Sequence, residues 1–260
     1  MTLEKQITWN GGLQPESVAA ITQPGGVIVS PTKVGYIIMA TDAAGLERKF
    51  DAKERKRNKP GVVLCGSMEQ LRALAVMNDE IEAFYQSHWD KDILLGCILP
   101  WSDAGRAFIP ADGSDELMMD RRGTSCFVIR FGKPSEEVAR ELWAKDKTVV
   151  FASSANPSGK GNRGLVEGIG ERIAGEVDLI VEANDFVASI QPNADENTRY
   201  EQGVMVSMVD DAGTLVPIQN GNRDISPGPI LIRKGLACTE IMELMSDHFI
   251  SWDYRHGHYY

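Results

Sequence analysis

The chain has 260 residues, of which 43% are hydrophobic and 25% are charged, so it is long enough to bury a substantial core as one large domain. Its formal net charge of -10 argues against a broad nucleic-acid surface, because binding to a phosphate backbone requires clustered positive charge. The first residues are polar, and no apolar run approaches the roughly 18 residues that span a bilayer. We therefore expect a soluble cytoplasmic protein.

Short apolar runs alternate with helical patterns through the first part of the chain. They predict strands at 26–29, 62–65, 93–99, 126–130 and 149–151, and helices at 43–52, 67–76, 135–144 and 164–174. Thr41 is a candidate N-cap for the first of these helices. Ser67 and Gln70 have the spacing of a capping box at the start of the second.

Closely spaced strands follow, predicted at 179–181, 204–209, 215–218 and 230–232 and separated by turn signals such as residues 220–222. The mixture indicates an α/β protein with a twisted sheet that has antiparallel parts. A last helix is predicted at 239–245, and no structure is predicted for the aromatic end at 252–260.

Cysteine and histidine do not form a metal-binding pattern. The four cysteines, at 65, 97, 126 and 238, are far apart, and three lie in apolar stretches, which predicts small reduced core residues. His88 is isolated, while the other three histidines crowd the C-terminus. We predict no metal site on the protein.

A basic segment at residues 48–59 stands out against the acidic composition. These twelve residues hold seven of the 27 Lys and Arg, offset by Asp51 and Glu54. Arginine offers a planar fork of donors that suits phosphate, and lysine a compact charge, so the segment is a candidate site for a small polyanion. Basic runs at helix ends also form solvated faces that complement the helix dipole. The segment alone does not decide between the two interpretations.

A polar segment at residues 151–162 follows the predicted strand at 149–151. Its Ser and Asn side chains and its backbone N–H groups suit an anion, and its glycines allow close approach. An ordinary turn rich in Ser, Asn and Gly is the alternative interpretation. The segment lacks the Gly-Lys-Ser/Thr ending of a P-loop, which argues against a Walker-type nucleotide site.

The two segments together, in this order, match the motifs of a known family. The matching residues are Lys53, Arg55, Lys59 and Pro60 of a K-x-R…K-P element, and Ser154, Asn156, Ser158 and Gly159 of an S-x-N element. Segments around 30–36, 127–130 and 230–235 agree as well. On these motifs the chain resembles the YrdC/Sua5 family over about residues 20–236.

The resemblance implies a fold and a reaction. The fold is α/β, with a YrdC-like twisted mixed sheet, flanking helices and a central, positively lined concave cavity over residues 1–237, followed by a C-terminal helix and aromatic tail at 238–260. The reaction converts ATP, bicarbonate and L-threonine into threonylcarbamoyl-adenylate and pyrophosphate, which feeds the t6A modification of tRNA. ATP is then a substrate, Mg²⁺ is expected with it, and tRNA-modification proteins are the expected partners.

The resemblance also assigns roles by position. It places Lys53, Arg55 and Lys59 on the triphosphate, with Lys53 and Arg55 as the catalytic pair. The other nucleotide contacts are Ser154, Asn156, Asn162 and Arg233, and the amino-acid side is formed by Thr32, Tyr36, Arg130 and Ser207. A carbamate that attacks the α-phosphorus needs no protein nucleophile, since positioning and charge neutralisation carry such a reaction.

The amino-acid side departs from the family pattern, whereas the nucleotide elements are intact. Lys33, Val34 and Gly35 stand where the family favours an acid, Thr and a β-branched residue, and Ile37 replaces Gly. Two alternatives therefore stay open. One is a carbamoyltransferase paralogue that acts through carbamoyl-adenylate on another small molecule, and the other is a non-catalytic nucleotide- or RNA-binding module.

Overall fold

The computed structural model of the protein describes residues 5–57, 61–157, 161–162, 164–193 and 201–257. Its strands are β1 Gln6–Thr8, β2 Val27–Thr32, β3 Gly35–Ala40, β4 Val62–Leu64, β5 Leu95–Pro100, β6 Thr124–Ile129, β7 Val150–Ser154, β8 Leu179–Glu182, β9 Val204–Ser207, β10 Ile230–Arg233 and β11 Asp253–Tyr254. Its helices are α1 Pro15–Ile21, α2 Ala43–Ala52, α3 Met68–Leu74, α4 Asp79–Asp90, α5 Asp103–Arg106, α6 Ser114–Met118, α7 Lys133–Asp146, α8 Glu171–Glu176, α9 Asn184–Ile190 and α10 Cys238–His248, with a 3₁₀ turn at Val166–Ile169.

The described strands form one twisted mixed sheet in the order β1-β8-β2-β3-β7-β4-β6-β5-β9-β10-β11. Five neighbouring pairs are antiparallel, namely β2/β3, β3/β7, β4/β7, β5/β6 and β9/β10. The other five are parallel, which requires crossover connections, and helices supply most of these. The predicted α/β sheet with antiparallel parts and flanking helices is confirmed.

The two faces of the sheet bury different cores, because successive side chains on a strand point to opposite sides. Val63 and Phe127 face one side, where they pack with side chains of α2, α3, α4 and α10. Leu64 and Ala152 face the other side and pack with α1 and α7. Beyond α7, this second face continues across the central strands as a row of paired positions, Val62, Cys126, Ile98, Ser207 and Ile230.

Most predicted elements are confirmed, with shifts of a few residues at their ends. The helix at 43–52 has the predicted bounds, and Ser67 caps α3 by accepting a hydrogen bond from the Gln70 backbone N–H at 3.0 Å. The predicted Thr41 cap is wrong. Asp42 is the N-cap of α2, since its extended backbone lets its carboxylate accept from the Gly45 N–H at 2.7 Å.

Two predicted elements differ in kind. The helix at 164–174 is divided into the 3₁₀ turn and α8, and the break falls at Gly170, whose φ is +85°. The strand at 215–218 is wrong, because only Leu215 pairs, in an isolated bridge with Val209. Pro217 lacks the N–H that a continued ladder would need.

The C-terminal part of the chain packs onto the body. The predicted last helix is confirmed as α10, which packs on α4, and β11 pairs in parallel with β10. The division into a domain at 1–237 and a separate tail stays a prediction. Across the described ranges, no helix combines the length and the apolar character that crossing a membrane requires.

The cysteines are free thiols in the structure, and Cys65, Cys97 and Cys126 are buried while Cys238 is half-buried. Burial raises the pKa of Cys126 to about 12, and the Arg233 guanidinium opposes that rise. The prediction of small core residues is therefore confirmed for three of the four, and their reduced state stays a prediction.

Candidate functional site

The basic segment and the Ser-Asn loop meet at Lys53. This residue caps the C-terminus of α2, and its side chain turns inward until it is only 3% exposed. Its ammonium donates to the backbone carbonyl of Ser154 and lies 3.2 Å from the Ser154 Oγ. Two motifs that are 101 residues apart in sequence are thus joined by one side chain.

Lys53 has no carboxylate partner within the described part of the chain, as the ion pairs there show. Burial holds the pKa of Lys53 well below its ordinary value, and the charges of Arg55 and Lys49 lower it further. A buried cation that meets other cations and no described anion is electrostatically unsatisfied. Such a site favours an incoming anion.

The acids in and beside the basic segment pair with Arg57 and Arg172 rather than with Lys53. Arg57 binds Glu47 and lies 3.2 Å from Asp51, and Arg172 binds Glu54 at 2.7 Å. These pairs are exposed, so each adds little stability. Their effect is to keep the carboxylates on the solvent side, away from Lys53.

Arg55 follows Lys53 by two residues and is half-buried. The Arg55 backbone N–H donates to the Phe50 carbonyl at 3.0 Å. Glu54, which stands between Lys53 and Arg55, has a φ of +49°. This tight turn after α2 brings the two cationic side chains of the K-x-R element to one end of the helix. Lys59 and Pro60 lie outside the described residues, so the predicted Lys59 contact stays a prediction.

The Ser-Asn loop carries a buried polar atom that has no hydrogen-bond partner among the described residues. Ser154 is exposed at the end of β7, whereas Asn156 is 6% exposed. The Asn156 amide donates to the Pro157 carbonyl at 2.9 Å, but its Oδ1 is buried without a hydrogen-bond partner among the described residues. Buried polar atoms in native proteins nearly always have partners, so a hydrogen-bond donor of a bound ligand fits here. Ser158 and Gly159 of this motif lie outside the described residues.

Asn162 connects the same loop to the β2–β3 hairpin. Its amide donates to the carbonyls of Val34 and Tyr36 at 2.8 and 3.1 Å, and its Oδ1 accepts from the Gly164 N–H at 3.0 Å. In the structure this side chain positions the loop against the hairpin. Its predicted contact with nucleotide stays a prediction.

Thr32 and Tyr36 belong to the hairpin and are both buried. The Thr32 hydroxyl donates to the Gly35 carbonyl at 2.7 Å, which closes the turn. Tyr36 is fully buried, and its hydroxyl donates to the Asn184 Oδ1 at 2.8 Å and accepts from the Ala183 N–H at 2.9 Å. Their predicted place on the amino-acid side stays a prediction, and the hydrogen bonds in the structure give both residues a structural role.

Tyr36→Phe is expected to reduce the free energy of unfolding by roughly 1–3 kcal/mol, because it leaves the buried Ala183 N–H without an acceptor. Chemical denaturation followed by fluorescence measures the change. Tyr254→Phe, at an exposed tyrosine, is the matched control and should leave stability unaltered. A Tyr36→Phe protein as stable as the control would contradict this role.

Arg130 is held by Trp89 rather than by the sheet. Its φ is +52°, its guanidinium carbon lies 3.8 Å from the centre of the Trp89 ring, and its Nε donates to the Trp89 carbonyl at 2.8 Å. Asp92 lies 3.7 Å from the same Nε and also pairs with Lys33 at 2.9 Å. Among the described residues, the terminal nitrogens of Arg130 have no partner, so they suit a carboxylate.

Arg233 and Ser207 lie on the second face of the sheet. The Arg233 Nε donates to the Gly203 carbonyl at 2.8 Å, and its charge acts on the Cys126 thiol of β6, which places the guanidinium toward the central strands. Ser207 is 7% exposed and donates to the Val209 carbonyl at 3.1 Å. The predicted positively lined concave cavity stays a prediction, as do the substrate contacts of these two residues.

Sequence reasoning missed the interior member of the cationic cluster, Lys49. A signal was present, since Leu46, Lys49, Phe50 and Lys53 lie at helical spacing on the stripe of α2 that packs inward. It also missed that Asp92 and Trp89 hold Arg130, because no local pattern connects these positions. No group of three His, Cys, Asp or Glu suited to a metal ion occurs in the described ranges.

The fold and these contacts define a mixed-sheet α/β protein in which a cationic helix end is held against a Ser-Asn loop. Residues 20–192 match the Sua5/YciO/YrdC family model, which is described as "Telomere recombination". The match covers more than half of the chain, and the chain belongs to this family.

Three relatives illustrate the similarity. A hypothetical protein, smu.1377c, from Streptococcus mutans UA159 is 60% identical, and its crystal structure gives a TM-score of 0.93 over 98% of this chain and 99% of that chain. The threonylcarbamoyl-AMP synthase of Pyrococcus abyssi (strain GE5 / Orsay) is 24% identical over 185 residues, which are 70% of this chain and 50% of that protein. P. abyssi Sua5 complexed with L-threonine gives a TM-score of 0.63 at 20% identity, over 92% of this chain and 60% of that chain.

The chain therefore spans about half the length of the curated relative that it matches. At 20% identity, the similarity to the threonine complex concerns the fold. It confirms the predicted YrdC-like arrangement of a twisted mixed sheet with flanking helices.

Proposed function

We propose that this protein binds ATP and activates a carbamoylated amino acid as its adenylate, with L-threonine as the leading substrate. The observation that carries the proposal is the contact of Lys53 with Ser154, which unites the two nucleotide elements of the family at one place. One relative from P. abyssi is a threonylcarbamoyl-AMP synthase. The structure of P. abyssi Sua5 contains L-threonine. Both support the assignment of the substrate.

The reaction needs two anions to approach each other. Bicarbonate and the threonine amine form a carbamate with loss of water, and a carbamate oxygen attacks the α-phosphorus of ATP. The bond to the β-phosphate breaks and pyrophosphate leaves with that electron pair. Lys53 and Arg55 lower the repulsion by offering positive charge beside the phosphates, and Lys59 is proposed to join them.

The remaining residues orient the two substrates. Asn156, with its unsatisfied Oδ1, is proposed to accept a hydrogen bond from the nucleoside, next to contacts from Ser154 and Asn162. Arg233 approaches the nucleotide from the sheet, and Arg130 offers its terminal nitrogens to the substrate carboxylate. Thr32, Tyr36 and Ser207 complete the amino-acid side.

The described residues contain no group of three His, Cys, Asp or Glu that could hold magnesium. We therefore derive no step through it, and Mg²⁺ enters the proposal only as the counter-ion that accompanies ATP. The product is proposed to pass to proteins that modify tRNA.

One observation favours a second candidate, a carbamoyltransferase that forms carbamoyl-adenylate for another acceptor. Lys33 pairs with Asp92, and the same Asp92 approaches Arg130. The amino-acid side thus contains a second cation in place of the acid that the family favours. A different acceptor would account for that change.

Mass spectrometry decides between these functions. Pure protein is incubated with ATP, Mg²⁺, bicarbonate and one amino acid at a time, and the expected product with L-threonine is threonylcarbamoyl-adenylate with an equal amount of pyrophosphate. If threonine gives no product but carbamoyl phosphate and ATP give carbamoyl-adenylate, the transferase function replaces the first proposal. ATP binding without turnover of any donor would indicate a non-catalytic binding module.

A further inference from the structure

Lys49 is a buried cation that the family motifs do not include. It lies one helical turn before Lys53 on α2 and is 1% exposed, which places it among the largest fully buried side chains of the protein. Lysine is almost never fully buried unless its charge is paired. The environment of its amine therefore calls for an explanation.

The amine of Lys49 has no hydrogen-bond partner and no ion pair within the described ranges. The nearest aromatic ring is that of Phe50, whose centre lies 4.6 Å away. A Cβ added to Gly61 would lie 2.9 Å from the Lys49 Nζ and 2.5 Å from the Ala152 carbonyl oxygen. The amine thus sits beneath the start of β4, beside β7, and Gly61 leaves the room that it occupies.

The charges that face this amine are positive. Burial and, to a smaller extent, the charge of Arg55 together lower the pKa of Lys49 to about 7. Lys49 in turn lowers the pKa of Lys53. These three residues form one cluster in the interior end of the basic segment. Within the described ranges, no ion pair joins Lys49 or Lys53 to an Asp or Glu.

The elements packed around α2 add no acid to the cluster. Strands β2, β3, β4 and β7 contain neither Asp nor Glu. The acids of α6 and α8 are exposed, and Arg172 of α8 binds Glu54 on the solvent side. Asp112, which precedes α6, accepts from the Ala43 N–H at the opposite end of α2.

The buried Lys49 amine does not add to the stability of the folded protein. The ordinary pKa of lysine is far above 7, so between pH 7 and that value the unfolded chain holds a proton that the folded chain lacks. The destabilisation is complete below pH 7 and fades as the pH rises above it. The cost of burying Lys49 is offset in a state of the protein that favours the charged amine. The state with an anion bound beside Lys53 and Arg55 is such a state.

We propose that Lys49 is a proton-linked binding residue of the phosphate site, which takes up a proton when a polyphosphate anion occupies the Lys53–Arg55 cluster. The proposal rests on the proposed ATP site and extends it by a third, interior cation. A polyphosphate brings several negative charges beside the cluster and so favours the charged form of each amine in it. The interior charge then adds to affinity without touching the ligand.

Titration calorimetry with inorganic tripolyphosphate tests this inference. At pH 8, in two phosphate-free buffers of different ionisation enthalpy, the dependence of the heat on the buffer gives the number of protons taken up. The wild-type protein should take up about one proton more than Lys49→Met, because at this pH the empty site leaves Lys49 mostly neutral. At pH 6 the difference should disappear, since Lys49 is then charged before the anion binds.

Two further measurements make the result interpretable. Lys145→Met removes an exposed lysine of α7 and should take up as many protons as the wild type. Lys49→Met should melt at a higher temperature than the wild type, and the gain should shrink as the pH rises from 7 to 10. A melting temperature unchanged at pH 6 would overturn the inference, because the buried unpaired amine would then carry no cost.

Equal proton uptake by the wild type and Lys49→Met at pH 8 would also overturn it, as would a wild type that binds no tripolyphosphate. The proposed function fails separately, through the absence of any adenylate product in the mass-spectrometric assay. If tripolyphosphate binding is proton-linked but no adenylate forms, the inference about Lys49 stands and the proposed activity is rejected.

Discussion

Replacing Lys53 with Met is expected to weaken ATP binding by roughly 10- to 100-fold, which corresponds to the loss of one or two hydrogen bonds to a charged group. Methionine fills a similar volume without the charge, so the end of α2 keeps its packing. The same change removes the donor to the Ser154 carbonyl and with it the link between the two nucleotide elements. Calorimetric titration with ATP measures the dissociation constant.

The salt dependence of ATP binding separates the effect of the Lys53 charge from the effect of its contact with Ser154. If the ammonium attracts the phosphates, raising the salt concentration should weaken ATP binding more in the wild type than in Lys53→Met, because salt screens the charge. Lys145→Met, at an exposed position on α7, should behave as the wild type does. Equal affinities for the wild type and Lys53→Met would place the nucleotide elsewhere.

The residue types of the site could be predicted from the sequence, but their partners could not. Lys53 and Ser154 were identified from motifs, whereas their contact spans 101 residues and depends on where β7 ends beside α2. Lys49 escaped prediction for the opposite reason. It lies inside a stretch already rich in exposed cations, and only packing reveals that this one points inward.

The fold shows the same division between local and distant information. The helix at 43–52 has the predicted bounds because its pattern of apolar residues is uninterrupted, yet Thr41 and Asp42 are adjacent cap-forming residues, and only the extended backbone of Asp42 decides between them. Strand β3 was not predicted from the sequence. All six of its residues are buried, so it lacks the alternation that marks a half-exposed strand.

The amino-acid side could be predicted least. The resemblance places Arg130 on the amino-acid side, but the orientation of its side chain is set by Trp89 and Asp92, which are about 40 residues earlier in the chain. A positive φ at Arg130 turns the chain away from β6, and sequence gives no indication of that. The substrate assignment therefore depends on contacts that only the assembled fold creates.

Gly35→Ala is expected to be the most damaging small substitution near the site, because two penalties combine there. The φ of Gly35 is +94°, a conformation that a residue with a Cβ adopts at a cost of roughly 1–2 kcal/mol. The new Cβ would also overlap the amide of Asn162, which holds the Ser-Asn loop to the hairpin. The overlap should add roughly 1–3 kcal/mol, as overpacking usually does.

Gly11→Ala is a close control, since Gly11 has the same φ of +94° but nothing within 4 Å of an added Cβ. The difference in the free energy of unfolding between the two variants isolates the overlap with Asn162. If Asn162 positions the loop for the nucleotide, Gly35→Ala should also lose ATP affinity while Gly11→Ala keeps it. Loss of stability with unchanged ATP affinity would show that Asn162 supports only the hairpin, and the nucleotide site would then depend on Lys53, Arg55 and Asn156 without it.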